Sequence, residues 1–583
     1  MEKRVLLAVV LSFIVLYGYQ AMFPPPKPVN PAVQNQSAPP AQPSAGSASA
    51  NPADNNVEAP AQPPTSPGSA APVVADAAER DIVVDNQSVR AVFTTRGGAL
   101  KSWRLKKYQD AAHQPLELVP HDAPGGHPRP FTLSVDDAAV SATLATALFR
   151  TSATSVDVNS APAVLTFEYA DASGLTARKD FSFNPQSPYV VHLSASVNQG
   201  SNTLVPTVQW GPALGDALHV NSRGSSDVPP RPIFYRDGDV TRVTPKNIGT
   251  VESQEGAFGF AGVDDHYFMA ASVLPKQVPV RLHYESVVVP APQGSTTAPA
   301  PYAQWSVRFK GAPSGEAFFM GPKDFDVLAA IDRELVKAID FGMFSFLVVP
   351  LLRALKWLNV YVGNYGWSIV LLTVLINVAM FPLRHKSVVS MRRMQEIQPE
   401  MKSIQDRYAK LKMTDPARSK MNEEMMALYK SRGVNPASGC VPMLLTMPVL
   451  FAFYAMLSVA IELRGAPFVG WITDLSRHDP LYITPILMGL TQFVQTKMTP
   501  SSADPTQQKV MLLMPLMFMF MFIKAPSGLV LYWTVSNAWA IGQQYFTNKM
   551  IGPAPQRNVR PAAERKVKNA GAGRSEQASK ERK

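Results

Sequence analysis

The sequence predicts a multi-domain integral membrane protein: an N-terminal signal-anchor helix, a β-sandwich outside the membrane, and a C-terminal five-helix transmembrane bundle bearing a cytoplasmic helical hairpin. Three observations predict it. Four apolar stretches, Tyr365–Leu383, Met443–Ile461, Leu481–Thr496 and Gly528–Phe546, follow one another closely, and a shorter fifth, Val510–Ile523, lies between Lys509 and Lys524. A hydrocarbon layer takes about 20 apolar residues per helix, and flanking lysines snorkel to complete a short one. Between Arg80 and Lys323 the periodicity changes to two, the strand period. Basic residues concentrate in two segments, which fixes an orientation.

Residues 1–23 form the anchor: Met1–Arg4 is short and positive, and Val5–Phe23 is apolar with Tyr17, Tyr19 and Phe23 at its far end. A cleaved signal peptide would need a small-residue cleavage site, and Gln20-Ala21-Met22-Phe23 is a poor one. Residues 24–79 are Pro, Ala, Ser, Asn and Gln with almost no large apolar side chain, too little to bury, and read as an extended tether. Residues 80–325 are the strand-rich domain. Val89, Ala91 and Phe93 alternate with other residues, as do Phe181 and Phe183, then Tyr189, Val191, Leu193 and Ala195, with Gly97-Gly98, Asn184-Pro185 and Asp237-Gly238 as turns.

Residues 326–362 carry Ile331, Leu335, Ile339, Met343 and Leu347 at helical spacing, then Pro350, then Arg353, Lys356 and Trp357. This predicts an amphipathic helix on the outer membrane surface, interrupted at Pro350. Within the core, residues 363–546, the hairpin 385–432 sets Met391, Met394, Ile397, Met401, Ile404, Tyr408 and Leu411 three and four apart, with Pro399 as a kink or a fresh start. Asp415-Pro416 opens a second helix, Met421, Met425 and Leu428 form its stripe, and Gly433 ends it. Methionine adapts to varied partners, and it also packs the core of a hairpin.

Charge orders the spans. The formal net charge is +11. Residues 384–432 hold 12 Lys/Arg against 6 Asp/Glu, and the tail, 547–583, holds 10 against 3. Six spans with both termini in the cytoplasm satisfy the positive-inside bias throughout. The basic hairpin and tail suit anionic lipid headgroups or ribosomal RNA, or serve only to set topology. The single cysteine, Cys440, excludes an intramolecular disulfide.

Little points to catalysis. Gly256–Gly262 lacks the spacing of a nucleotide-binding loop, His121, His127 and His219 lack ligand spacing, and no hydrolase or metalloprotease motif occurs. The reading is therefore not an enzyme, with no cofactor and no metal. The C-terminal spans carry no charged residue in their interiors, which disfavours an ion-coupled transporter. They carry neutral polar groups instead: Thr373 and Asn377, Thr446, Gln492 and Gln495, Thr534, Ser536 and Asn537, Gln543 and Gln544. Such groups join helices by hydrogen bonds or line a hydrated groove.

Several runs resemble the YidC/Oxa/Alb family of membrane protein insertases. They are Val434-Asn435-Pro436 through Pro442 with Met447-Pro448; Glu462-Leu463-Arg464 through Phe468 with Trp471 to Ser476; Asp479-Pro480 through Gly489; and Pro526-Ser527-Gly528 through Asn537. The anchor, the tether and the domain with Thr95-Arg96-Gly97-Gly98 resemble the long Gram-negative form. The resemblance implies a periplasmic β-supersandwich, an inner-membrane core around a hydrophilic groove, and clients that are nascent membrane proteins. It also implies work alone or with the SecYEG translocon and its accessory subunits. The basic hairpin and tail suit ribosome contact, and a monomer is an adequate unit because one five-helix bundle can form the groove. Groove residues would be Thr373, Asn377, Thr446, Tyr532, Trp533 and Ser536, and cytoplasmic recruitment would use Arg384, Met391, Met394, Met401, Met421 and Met425. Asn377 stands where the family commonly has an arginine, and Thr446 where glutamine is frequent. Arg384, seven residues on and about 10 Å along a helix, is the candidate substitute cation.

Overall fold

The computed structural model describes residues 71–110, 113–120, 126–212, 214–215, 229–289, 300–408, 417–433, 441–499 and 505–551. The anchor, nearly all of the tether, Asp415-Pro416, Cys440 and nearly all of the basic tail lie outside them. The chain divides into two compact units, with the boundary between Gly321 and Pro322.

The first unit is strand-rich. Among the described residues it forms one sheet of 13 strands and one of five. Alternation sets the faces: in Val89–Thr94 the residues Val89, Ala91 and Phe93 are buried, and in Val190–Gln199 so are Val191, Leu193, Ala195 and Val197. The inward faces meet in an aromatic core. Phe93 of the smaller sheet lies 4.8 Å from Phe181 of the larger, and Phe131 sits within 5.2 Å of Phe181, Trp210 and Phe318, ring centre to ring centre. Asp237-Gly238 turns between Arg231–Arg236 and Asp239–Arg242 with φ of 54° and 95°, the mirror-image turn that tight hairpins favour. The run from Gly256 to Gly262 is part of the strand Ser253–Asp264, paired along one side throughout and on both sides from Phe260, and is no loop.

Gly97 and Gly98 turn the chain between Val89–Thr94 and Ala99–Gln109 at φ of 68° and 52°, a region glycine enters freely. Their carbonyls do more than turn. Lys179, fully buried, donates from Nζ to Gly97 O (2.7 Å), Gly98 O (3.2 Å) and Phe131 O (2.7 Å). Three acceptors match the three N–H groups of an ammonium. Burial nevertheless pushes this amine from 10.5 down to about 7. The unfolded chain therefore holds one more proton than the folded chain between those two values. Stability from this group accordingly rises with pH across that window and is level below it. Thermal unfolding of the domain should show that rise, and Lys179→Met should flatten it. A rise that persists in the variant would assign it to another group.

The second unit is helical. A short helix, α2 (Phe325–Ile331), is capped by Asp324, which accepts from Asp326 N and Val327 N. (The sandwich contains α1, Ala138–Thr146.) A 3₁₀ turn at Leu335–Ala338 and extended backbone at Ile339 follow, so the spacing of Ile331 to Leu347 does not mark one helix. The long element is α3 (Ser345–Val362), which runs straight through Pro350. Pro350 is exposed, so the turn around it can open toward its surroundings at the loss of one ladder bond. Val348, Leu352, Leu355 and Leu358 form its buried stripe, and Phe346, Trp357, Val360 and Tyr361 are exposed.

After Gly363, α4 (Tyr365–Glu396) continues for 32 residues through Pro382 and into the hairpin. The hairpin is completed by α5 (Gln398–Arg407), with Pro399 in its first turn, and α6 (Ala417–Ser431). The bundle then adds α7 (Val441–Val459), α8 (Ile483–Met498), α9 (Pro505–Met521) and α10 (Ser527–Ile551). By length and apolarity alone, α3 and α4 are the helices among the described residues that could cross a membrane, and the apolar parts of α7 and α9 are shorter. The 326–362 region, expected to hold an interfacial amphipathic helix interrupted at Pro350, contains α3, which is 18 residues long and continues through Pro350.

Candidate functional site

Four helices of the second unit line a half-open cavity of about 370 Å³. Helix α4 contributes Ile376, Asn377, Met380, Arg384 and Val388, α7 contributes Val449 and Leu450, and α8 contributes Gln492 and Gln495. From α10 come Tyr532, Trp533, Ser536, Asn537, Gln543 and Gln544. No Asp or Glu is among the residues that line it.

Its chemistry follows from helical spacing. On α4, Thr373, Asn377 and Arg384 share one face. Thr373 is fully buried and returns its hydroxyl to Ile369 O at 2.6 Å, which consumes its donor inside its own helix. Asn377 donates from Nδ2 to Thr373 O (2.7 Å) and accepts at Oδ1 from Arg384 Nη1 (2.8 Å). The guanidinium therefore reaches back two turns to the asparagine, in the direction helical side chains lean. Pro382 does not divert it, because α4 is unbroken there. Arg384, expected both at the cytoplasmic hairpin and as the substitute cation, lines the cavity.

The opposite wall is α10. Tyr532 is buried with its ring stacked 4.4 Å from Phe453 of α7. Trp533 donates its indole N–H to Gln492 Oε1 at 3.0 Å, tying α10 to α8. Asn537 donates to Met488 O and Thr491 Oγ1. Ser536 lines the cavity between them. Thr446 lies in α7 where side chains are outside the described residues. Of the expected groove residues, Asn377, Tyr532, Trp533 and Ser536 therefore come together, whereas Thr373 serves its own helix. Gln492, Gln495, Asn537, Gln543 and Gln544 complete the lining. Their signal was present as neutral polar residues in apolar spans, but spacing within one helix does not reveal which faces meet.

The hairpin methionines divide. Met394, Met401 and Met425 pack against the buried pair Ile397 and Tyr429, inside the hairpin. They serve its core, because two short helices have little else to bury. Met391 and Met421 are half-buried. Ion pairs fasten the edges, Arg407 to Glu424 at 2.7 Å and Arg432 to Glu400 at 2.6 Å. Surface pairs of this kind add at most about 1 kcal/mol each.

Family comparisons bear on both units. Residues 81–354 match the family model "YidC periplasmic domain", and residues 357–554 match "60Kd inner membrane protein". A membrane protein insertase YidC of Syntrophus aciditrophicus is 38% identical over 94% of this chain and 100% of its own length. The chain belongs to the YidC family of membrane protein insertases. A YidC of Geobacter metallireducens is 36% identical over 95% of this chain and 99% of its own. A solved active YidC insertase with its first transmembrane domain resolved aligns with 82% of this chain and 95% of its own at 16% identity, with a TM-score of 0.34. The YidC family models thus cover the strand-rich unit and the helical unit in turn, and meet near the end of α3.

Proposed function

We propose that this chain inserts nascent membrane proteins into the inner membrane, and helps them fold, by receiving their polar segment in the cavity between α4, α7, α8 and α10. The observation that carries this is the Arg384–Asn377 hydrogen bond in a cavity lined by amides, hydroxyls and no carboxylate. A polar group left unpaired in hydrocarbon costs several kcal/mol, and a ring of neutral donors and acceptors lowers that cost along the path. The positive charge, without a carboxylate partner among the described residues, favours clients whose leading segment is acidic. Positioning and hydration suffice, and the reading requires no covalent chemistry.

The remaining features fit the same reading. The strand-rich unit lies in the periplasm, α3 rests on the outer surface, and the hairpin faces the cytoplasm with both termini. Six spans, the anchor included, give that arrangement. The basic hairpin and tail meet the ribosome and anionic lipids, and the SecYEG translocon with its accessory subunits acts as a partner for some clients. One chain suffices for the cavity.

Liposomes containing only the purified chain test the proposal. A small newly synthesised membrane protein should become protease-protected in the correct orientation without ATP or translocon. Protection that appears only when the translocon is added would assign the chain an accessory role. No protection under either condition would overturn the proposal.

A further inference from the structure

The seam between α4 and α10 carries a second groove, of about 480 Å³, beside the polar cavity. Helix α4 supplies Val374 and Phe381, seven residues apart, and α10 supplies Val535, Ala538, Gly542 and Phe546, which step by three and four. Each set is therefore one helix face. Gln543 lines both hollows, and its amide donates to Phe381 O across the seam at 3.4 Å. Apart from that amide and the Trp539 indole, the lining is apolar. Small residues make the groove. Ala538 and Gly542 are exposed in mid-helix, and a side chain at Gly542 would meet no atom within 4 Å. Glycine weakens a helix interior, and here nothing in the bundle presses against it.

Length and charge name the occupant. From Val535 to Phe546, α10 rises about 16 Å. A hydrocarbon layer of about 30 Å leaves about 15 Å to each leaflet. A transmembrane helix would need a seam twice as long, whereas one acyl chain of one leaflet matches it. The hairpin end of the groove is cationic. Lys549 stands about one turn beyond Phe546 on the same face of α10, a helix without Asp or Glu. On α4, His385 follows Phe381 by one turn, their rings stacked 5.9 Å apart, and Lys386 comes next. His385 meets Thr547 at 3.5 Å and Arg392 donates to Asn548, so the two helix ends are held side by side. Lys386 and Lys549 are exposed, and neither has an ion-pair partner among the described residues. The one acid of α4 is its last residue, Glu396.

We propose that this groove holds an anionic phospholipid of the hairpin-side leaflet, with one acyl chain along Ala538 and Gly542 and the phosphate paired with Lys549 and Lys386. The chain fills a space that the bundle leaves open, and the phosphate meets cations that the protein leaves unmatched. Basic sites between helices on the cytoplasmic side suit such headgroups, and an apolar slot beneath them adds selectivity for the lipid over a free phosphate. In the proposed orientation this leaflet is the cytoplasmic one, although the site itself is independent of any client. The bound lipid packs against the same pair of helices that carries Arg384 and Gln543, so leaflet composition bears on the wall of the polar cavity.

The test uses the full chain in nanodiscs of phosphatidylcholine with a minor fraction of phosphatidylglycerol that carries a photoreactive acyl chain. Mass spectrometry then maps the labelled residues. Labelling should concentrate at residues 535–546 and 374–381, and unlabelled phosphatidylglycerol should compete where added phosphatidylcholine does not. Gly542→Leu should cut the labelling about tenfold by filling the slot. The open space at that position accommodates a leucine without disturbing the bundle. Lys386→Gln combined with Lys549→Gln should lower the preference for phosphatidylglycerol over phosphatidylcholine by about 10- to 30-fold, the loss expected for two lysines at an anionic surface. Both lysines are exposed, so these changes leave the packing intact. Labelling spread evenly around the bundle, or equal competition by the two lipids, overturns the site and leaves only ordinary lipid contact. Labelling that neither the glycine nor the lysine variants reduce overturns it as well.

Discussion

Arg384→Glu is expected to slow insertion of clients with an acidic leading segment by about 10- to 100-fold. A hydrogen bond to a charged group contributes about 1.5–3 kcal/mol, and about 1.4 kcal/mol is a factor of ten in rate. The cavity has no second cation among its lining residues and no carboxylate to compete for this one. Reversal therefore converts attraction into repulsion at the one charged position. Arg384→Lys should retain part of the rate, because it keeps the charge but loses the planar fork that spans to Asn377. Asn377→Leu should fall between, since the guanidinium then lacks the acceptor that holds it against the wall. The double variant Asn377→Arg with Arg384→Asn moves the cation up the same helical face and should recover activity. Protease protection of paired clients, one with an acidic segment and one with the acids neutralised, provides the measurement. Equal insertion of both by Arg384→Glu would remove the cation from the mechanism.

Gly262→Val should be the most damaging single change in the sandwich. Gly262 lies in Ser253–Asp264, paired to Ile233 on one side and Ala271 on the other. A Cβ at this position would stand 2.1 Å from Ala270 O and 2.5 Å from Ala271 Cα. Those atoms are backbone in a paired strand, so relief requires parting the ladder. Overpacking costs about 1–3 kcal/mol and more where the neighbour is rigid. In a domain of this size about 3 kcal/mol lowers the Tm by roughly 6–12 °C. Calorimetry of the periplasmic unit would show the shift, and an unchanged Tm would mean that the strands can separate locally.

The two units differ in how openly the sequence declared them. In the sandwich, local chemistry and tertiary structure agree. Gly97-Gly98 and Asp237-Gly238 occupy the positive-φ turns their residue types favour, and the alternation at Val89–Phe93 and Tyr189–Ala195 falls on the buried face. What pattern could not show was Lys179, whose place in Leu175–Phe183 reads as an ordinary inward position until three carbonyls from other segments surround it.

In the helical unit the apolar spans were visible, but proline misled. Pro350 looks like a break, yet it and Pro382 both sit on exposed helix faces where one missing hydrogen bond is tolerated. Regular spacing from Ile331 to Leu347 misled as well, because the chain bends twice within it. The cavity was half legible. Polar residues in apolar helices announced themselves, and Arg384 suggested itself only because Asn377 occupied the expected place of a cation. Which glutamines face inward depends on how four helices are rotated, and no single helix carries that information. The hairpin methionines were legible as two matching stripes, and Met394, Met401 and Met425 pack between the two arms against Ile397 and Tyr429.

Helix α4 also has a mechanical meaning. Its 32 residues make a rod about 48 Å long, with no joint between the apolar stretch, the polar cavity and the first arm of the hairpin. Asn377 sits near the fulcrum, and Glu396 ends the arm about 28 Å away. A tilt of about 10° about Asn377 moves Glu396 by about 5 Å. Displacement of the hairpin arm and rotation of the cavity wall that carries Asn377 and Arg384 are therefore one motion.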